Sequence, residues 1–192
     1  MQDIQVASNK PIQDYQLEFL QNDEEAYRAA GYSEADARSL AAVNLLLPDL
    51  GAYKKVGYSL VDLSNSYRQA NDISSAQAAL QLALDLAQRV NVPGSLTLAQ
   101  TMVGLAIEQK SLGAMDPNAS FVSGNQTVQN VLDTVNQQRD AIKALNQQWA
   151  SLVPKLSDQD LATFYQRKLS FGELAAEQWA VNKFAQPAAS SP

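Results

Sequence analysis

An all-α fold is what this 192-residue chain predicts, on three observations. Alanine, leucine and glutamine, all good helix formers, are abundant. Glycine is limited to eight residues, and the β-branched and aromatic residues are too scattered to alternate as strands. Apolar residues recur at helical spacing over long stretches, as they do on a helix with one buried face.

The elements follow from these signals in order. Residues 1–11 read as a flexible polar arm, 12–185 as one helical domain and 186–192, QPAASSP, as a disordered tail. Tyr15, Phe19 and Tyr27 share a face of a first helix over 12–30, which Gly31 ends. Ser33 followed by Asp36 is a capping signal for a second helix carrying Leu40, Val43 and Leu47 and stopped at Pro48. Leu60, Leu63 and Tyr67 mark a third helix, Asn71-Asp72 a turn, and Ala76, Leu80, Ala83 and Ala87 a fourth. Pro93-Gly94 separates these from a fifth helix over 95–112, and 113–125 has the composition of a loop. From Gln126 to Pro154, Val128, Val135, Ile142 and Trp149 recur every seventh residue, with Val131, Leu145 and Leu152 between them and Gln138 as a polar interruption. This long helix is expected to pack along the preceding hairpins rather than pair with another chain. Two more helices are expected, over 157–169 with Leu161, Phe164 and Tyr165, and over 171–184 with Leu174, Trp179 and Val181.

Absent residue types narrow the chemistry. The chain has no cysteine and no histidine. It therefore has no thiolate or Ser-His nucleophile, no thiolate zinc site, no histidine-ligated haem and no histidine pH switch. Carboxylates and lysines remain, but no convergent set is visible, so no enzyme activity, cofactor or metal is expected. Asp158 and Asp160 follow Ser157 at a helix start, where acidic residues answer the unpaired amides, so capping outweighs metal binding there. Asp23, Glu24 and Glu25 read as a solvated helix face. Asp116-Pro-Asn118 opens like a calcium loop but lacks the later glycine and glutamate. Asn118-Ala-Ser120 and Asn125-Gln-Thr127 match the glycosylation triplet, which arises often by chance.

The charge of −6 is uneven, with nine acids against three bases in residues 1–50 and eleven of each in the rest. Without clustered Lys and Arg, nucleic acid and anionic membrane surfaces are poor partners. No stretch approaches the roughly 18 consecutive apolar residues of a membrane span. The expected chain is soluble, and its low charge with many Gln and Asn leans towards an exported bacterial protein with its signal removed, the cytoplasm being the other reading.

Residues 57–90, GYSLVDLSNSYRQANDISSAQAALQLALDLAQRV, resemble the tetratricopeptide repeat, a helix-turn-helix unit. Leu60, Leu63-Ser64 and Tyr67 stand at the family's first-helix packing positions, and Ala76, Leu80 and Ala83 at those of the second. Ser64 replaces the commoner glycine, and Gln88 stands where a proline often closes the repeat. Val103, Gly104 and Ile107 echo Leu63, Ser64 and Tyr67, at a spacing longer than a standard repeat. The resemblance implies antiparallel hairpins stacked as a short right-handed array, with a concave groove lined by first helices that binds a protein or peptide. Its groove positions fall on Tyr58, Val61, Asn65, Arg68 and Gln69, with Asn65 suited to a ligand backbone and Arg68 to a carboxylate. Val61 stands where carboxylate-clamping repeats carry lysine. A stacked fifth helix extends the groove through Leu98, Thr101, Leu105, Glu108 and Gln109.

The function expected is a non-catalytic adaptor or scaffold that binds a protein or peptide in a helical groove. The alternative is a subunit of a larger complex, docking through the heptad helix and the acidic N-terminal third. A helical-bundle enzyme or small-ligand carrier using Tyr, Lys and carboxylates is a third class.

Overall fold

The computed structural model describes residues 12–43, 50–121 and 126–184. The arm at 1–11, the stop at Pro48, the tail at 186–192 and the acceptor Asn125 lie outside the described residues. The fold is all-α, with eight helices and no strand among the described residues. They are α1 Ile12–Ala29, α2 Glu34–Val43, α3 Leu50–Gln69, α4 Ile73–Val90, α5 Leu98–Gly113, α6 Val128–Leu152, α7 Asp158–Phe171 and α8 Glu173–Phe184. No helix among the described residues is long and apolar enough to cross a membrane.

The helix ends are set by local chemistry. Ser33 Oγ accepts from the Asp36 amide ahead of α2. Asn71 takes a left-handed φ of 61°, and Asp72 caps α4 by accepting from the Ser75 amide at 3.1 Å. Thr97, not Ser95, caps α5, so that helix starts later than its composition suggests. Ser157 and Asp160 form a reciprocal capping box on α7, and hydrogen bonds from Ser157 and then Lys183 hold the Asp160 carboxyl below its usual range. Gly172, at φ +85°, sets the boundary between the last two helices two residues later than expected, ending α7 at Phe171 and starting α8 at Glu173, and a Cβ there would meet the Ser95 carbonyl oxygen at 2.6 Å.

Where the sequence suggests one domain over 12–185, the contacts fall into two compact units interleaved along the chain. Asp49–Pro93 with Thr97–Leu145 makes a central unit, and Met1–Pro48, Gly94–Leu96 and Asn146–Pro192 make a terminal unit. The terminal unit arises because α2 packs against α7, an attraction between sequence-distant faces that local periodicity does not reveal. Its core joins Leu20, Ala41 and Leu96, flanked by Phe19, Tyr27 and Leu169. A second cluster gathers Phe164, Ala176 and Ala180, with Trp149 stacked on Phe164 at 4.0 Å between centroids. Arg38 ties α2 to α1 through Glu24 at 3.1 Å.

In the central unit α3, α4 and α5 each pack against the other two. Val61, Leu80, Ala83, Ala87 and Ile107 form the core. Small residues make the approach possible, since a Cβ at Gly104 would lie 2.8 Å from the Ala87 carbonyl oxygen and 2.5 Å from Asn91 Cβ. The buried face of α3 runs through Gly57, Val61 and Ser64, so Leu63, expected to fill the space between α3 and α4, is instead 43% exposed. That rotation places the face with the smallest side chains inward, where Ile107 sits against Gly57.

α6 is 25 residues, about 37 Å at the helical rise. Its heptad residues Val128, Val135, Ile142, Leu145 and Leu152 are buried within this single chain. Gln109 on α5 donates to Asn136 at 2.6 Å and accepts from Arg139, so α6 is also tied to the central unit by polar contacts.

Gly104→Ala is expected to cost roughly 1–3 kcal/mol, because the new methyl meets backbone that cannot yield cheaply. Gly113→Ala, where nothing lies within 4 Å, should be neutral or slightly stabilising. Thermal denaturation of the two variants beside wild type measures the difference; equal melting temperatures would mean the α4–α5 approach is not tight.

Candidate functional site

The central unit contains an open cavity of about 810 Å³, bounded by α4, the segment between α5 and α6, and the end of α3. Along α4, Ile73, Gln77, Leu80, Gln81, Leu84 and Gln88 line it. These positions share one face of the helix and span about 22 Å at the helical rise. The two leucines are buried and make the floor, while the glutamines are exposed along the rim. Ile73 is 52% exposed at one end, an apolar side chain left open to water.

The opposite wall is built from the α5–α6 segment. The Met115 amide closes on Leu112, and Asp116 accepts from the Asn118 amide at 2.9 Å in a side-chain turn. Ser120 and Thr127 then pair as an isolated antiparallel bridge, flanked by Phe121 N–H to Gln126 O at 2.9 Å and Val128 N–H to Ala119 O at 3.0 Å. This places Met115, Phe121 and Val128 across from Leu80 and Leu84. Arg68 and Asp116 are the ionisable residues among the lining. Arg68 is exposed and forms no ion pair among the described residues.

The residues expected to line a groove do not come together in this cavity. Arg68 lies in it; Asn65 and Gln69 are exposed elsewhere on α3. Tyr58 is half-buried, with the Lys110 ammonium 4.3 Å from its ring centroid. Val61, Leu98, Thr101 and Leu105 are corrected to interior positions, because the faces of α3 and α5 that carry them are turned inward in the packed unit. Glu108 is half-buried, which raises its carboxyl above the usual range, and Gln109 is engaged with Asn136 and Arg139. The lining on α4 and the α5–α6 segment escaped the sequence reading. The repeat register makes Leu80 a packing position, and 113–125 reads as a loop with a calcium-loop-like opening at Asp116 and two glycosylation triplets. The signal present was the glutamines at 77, 81 and 88 flanking Leu80 and Leu84 at helical spacing.

The terminal unit holds a different feature. Glu177 is 1% exposed on α8, where Asn146 donates to Oε1 at 2.9 Å and Oε2 has no partner. Burial, opposed by the Asn146 hydrogen bond and reinforced by Glu173, raises its carboxyl to about 7. Lys168 is paired with Glu173 at 2.5 Å and only partly offsets this. Glu177 is thus a buried acid with one amide partner and one unpartnered oxygen. Among the described residues no three Asp or Glu cluster in a way that would hold a metal ion.

A carboxyl raised in the folded state favours folding fully below its unfolded value of about 4.3, and that contribution is lost as pH rises through 7. Glu177→Gln is therefore expected to raise the melting temperature by roughly 5 °C at pH 8 and to leave it nearly unchanged at pH 4.5. A pH series of thermal melts measures this, and parallel curves for the two proteins would show that Glu177 titrates normally. Compared with family models, curated proteins and solved structures, the chain matches none, so the functional reading rests on the geometry of the site.

Proposed function

We propose that the protein is a non-catalytic interaction module that receives a segment of another protein in the groove along α4. The observation that carries this reading is the open, largely apolar groove itself, floored by Leu80 and Leu84 and ending in the exposed Ile73. Binding energy comes from apolar surface that still meets water, Ile73 with the half-buried Met115 and Phe121 and the ligand's own apolar side chains, and the rim glutamines offer both donors and acceptors to a peptide backbone. The volume lies in the usual range for ligand sites, about 300–1,000 Å³, but the exposed rim along α4 suits a chain passing through better than a small molecule sealed inside. α3 and α4 form a hairpin over residues 57–90, and α5 packs against both. In this proposal the ligand lies against the second helix of that hairpin and not on the first-helix face. The assembly-subunit alternative has less support, since its heptad side chains Val135 and Ile142 are already inside this chain.

Selection of random dodecapeptides displayed on phage against the purified chain tests the reading. Peptides are expected to be enriched, and Ile73→Asp to weaken them at least tenfold. Aspartate in the first turn suits the helix dipole, so α4 should persist by circular dichroism. Val56→Asp, at an equally exposed apolar residue on α3 outside the groove, should bind as wild type. No enrichment, or equal binding by Ile73→Asp, would remove the groove as the binding site.

A further inference from the structure

The bridge on the groove wall has a free edge. In an antiparallel pair, two residues flanked by hydrogen bonds on both sides face each other without bonding to each other. Ser120 and Thr127 are such a pair, flanked by the Ala119–Val128 and Phe121–Gln126 bonds. Because backbone groups alternate along an extended chain, the Ser120 amide and carbonyl point to the edge away from Thr127. Neither has a partner among the described residues, and Ser120 is exposed and lines the groove. An unpaired amide and carbonyl on an extended edge are a template for another extended chain.

Two further features fix the chemistry of that chain. Leu80 and Leu84 are one helical turn apart on the floor, about 6 Å along the axis. Side chains on one face of an extended peptide repeat at about 6.6 Å, so alternate apolar residues match the leucines. Arg68, the cation among the described lining residues, lies towards the Ile73 end. From Leu80 to Ile73 is about 10 Å along α4, or three extended residues. Asp116 on the other wall accepts one hydrogen bond from the Asn118 amide and keeps its own charge, but it forms no ion pair with Arg68 among the described residues, so the guanidinium remains open to an incoming carboxylate.

Building on the groove as the binding site, we propose that the central unit binds an extended acidic segment of a partner protein by strand addition to Ser120. Two alternate apolar side chains of that segment lie over Leu80 and Leu84, and a carboxylate about three residues away pairs with Arg68. The main-chain bonds set the conformation, the segment's apolar side chains leaving water over the leucine floor supply the energy, and Arg68 sets the charge preference.

The test takes peptides enriched from the dodecapeptide library, labels them with fluorescein and measures Kd by fluorescence anisotropy against the full chain. The expected consensus is an acidic residue separated by about two positions from an apolar-x-apolar pair. Arg68→Glu should weaken the acidic peptide at least tenfold and favour its acid-to-lysine analogue. Ser120→Ala should leave Kd unchanged, because the contact is main-chain, whereas Ser120→Pro removes the donor and should weaken binding about fivefold. Single N-methylation along the peptide gives an independent readout that does not depend on the proline variant folding. Loss at one interior position, where the peptide N–H meets the Ser120 carbonyl, or at that position and those two residues from it, marks strand pairing on one edge. Loss at every interior position, as a bound helix would give, overturns the strand mode, as does no loss at all. Enriched peptides without an acid that ignore Arg68→Glu overturn the charge assignment while leaving the groove as a binding site. A library that yields no peptide overturns this inference together with the proposed function.

Discussion

The close approach of α4 to α5 at Gly104 is the constraint on which the central unit depends. With no side chain at that position, the α5 backbone lies against the Ala87 carbonyl and Asn91, and Ala83 and Ala87 can be shared between two helix contacts. The same economy of side-chain volume operates on α3, where Gly57 accepts Ile107 and Ser64 is fully buried. Tight packing on the alanine face of α4 fixes the direction of the adjoining stripe. Leu80, shared with the core, and Leu84 border it beside the glutamines, and the segment leaving α5 returns past it to supply the second wall. The groove is thus a consequence of how small residues are distributed on α4 and α5, rather than of any single lining residue.

The terminal unit is organised differently. Aromatic rings, not small residues, dominate its second cluster, and Trp149, Phe164 and Tyr165 meet by stacking and edge contacts. Its buried polar groups are nearly satisfied. Lys168 has Glu173, while Glu177 has Asn146 for one oxygen and no partner for the other. A half-satisfied buried carboxyl is costly when ionised, and burial outweighs the stabilising Asn146 hydrogen bond and the nearby ammonium in setting its protonation. The central unit also buries unpartnered polar atoms, Ser64 Oγ and Gln100 Oε1, but it carries Arg68, the rim glutamines and the free edge of Ser120 on an open surface.

The candidate site was only faintly legible in advance. Arg68 was reachable from the repeat register, because a charged residue near a helix end is a natural ligand contact. The register failed for Val61, Thr101 and Leu105, since it assumed which face of α3 and α5 would be open. Helical periodicity identifies an apolar stripe but does not say which of two adjoining stripes lies inward when small residues permit either. Here Gly57, Val61 and Ser64 went inward and Leu63 outward. The wall at Ser120 and Phe121 left no sequence signal, because a single bridge depends on hydrogen bonds between residues on either side of a loop.

By itself the sequence determined the helices and their ends. Residue propensity, the caps at Ser33, Asp72 and Ser157, and the breaks at Gly31, Pro93 and Pro154 are local, and local interactions are encoded within a few residues. The buried heptad seam of α6 was likewise written in its seven-residue repeat. Tertiary structure alone decided the division into two interleaved units, the rotation of α3, the isolation of Glu177 and the groove. Each of these depends on which distant faces meet, and that is settled by side-chain volume and the burial of polar groups across the whole chain.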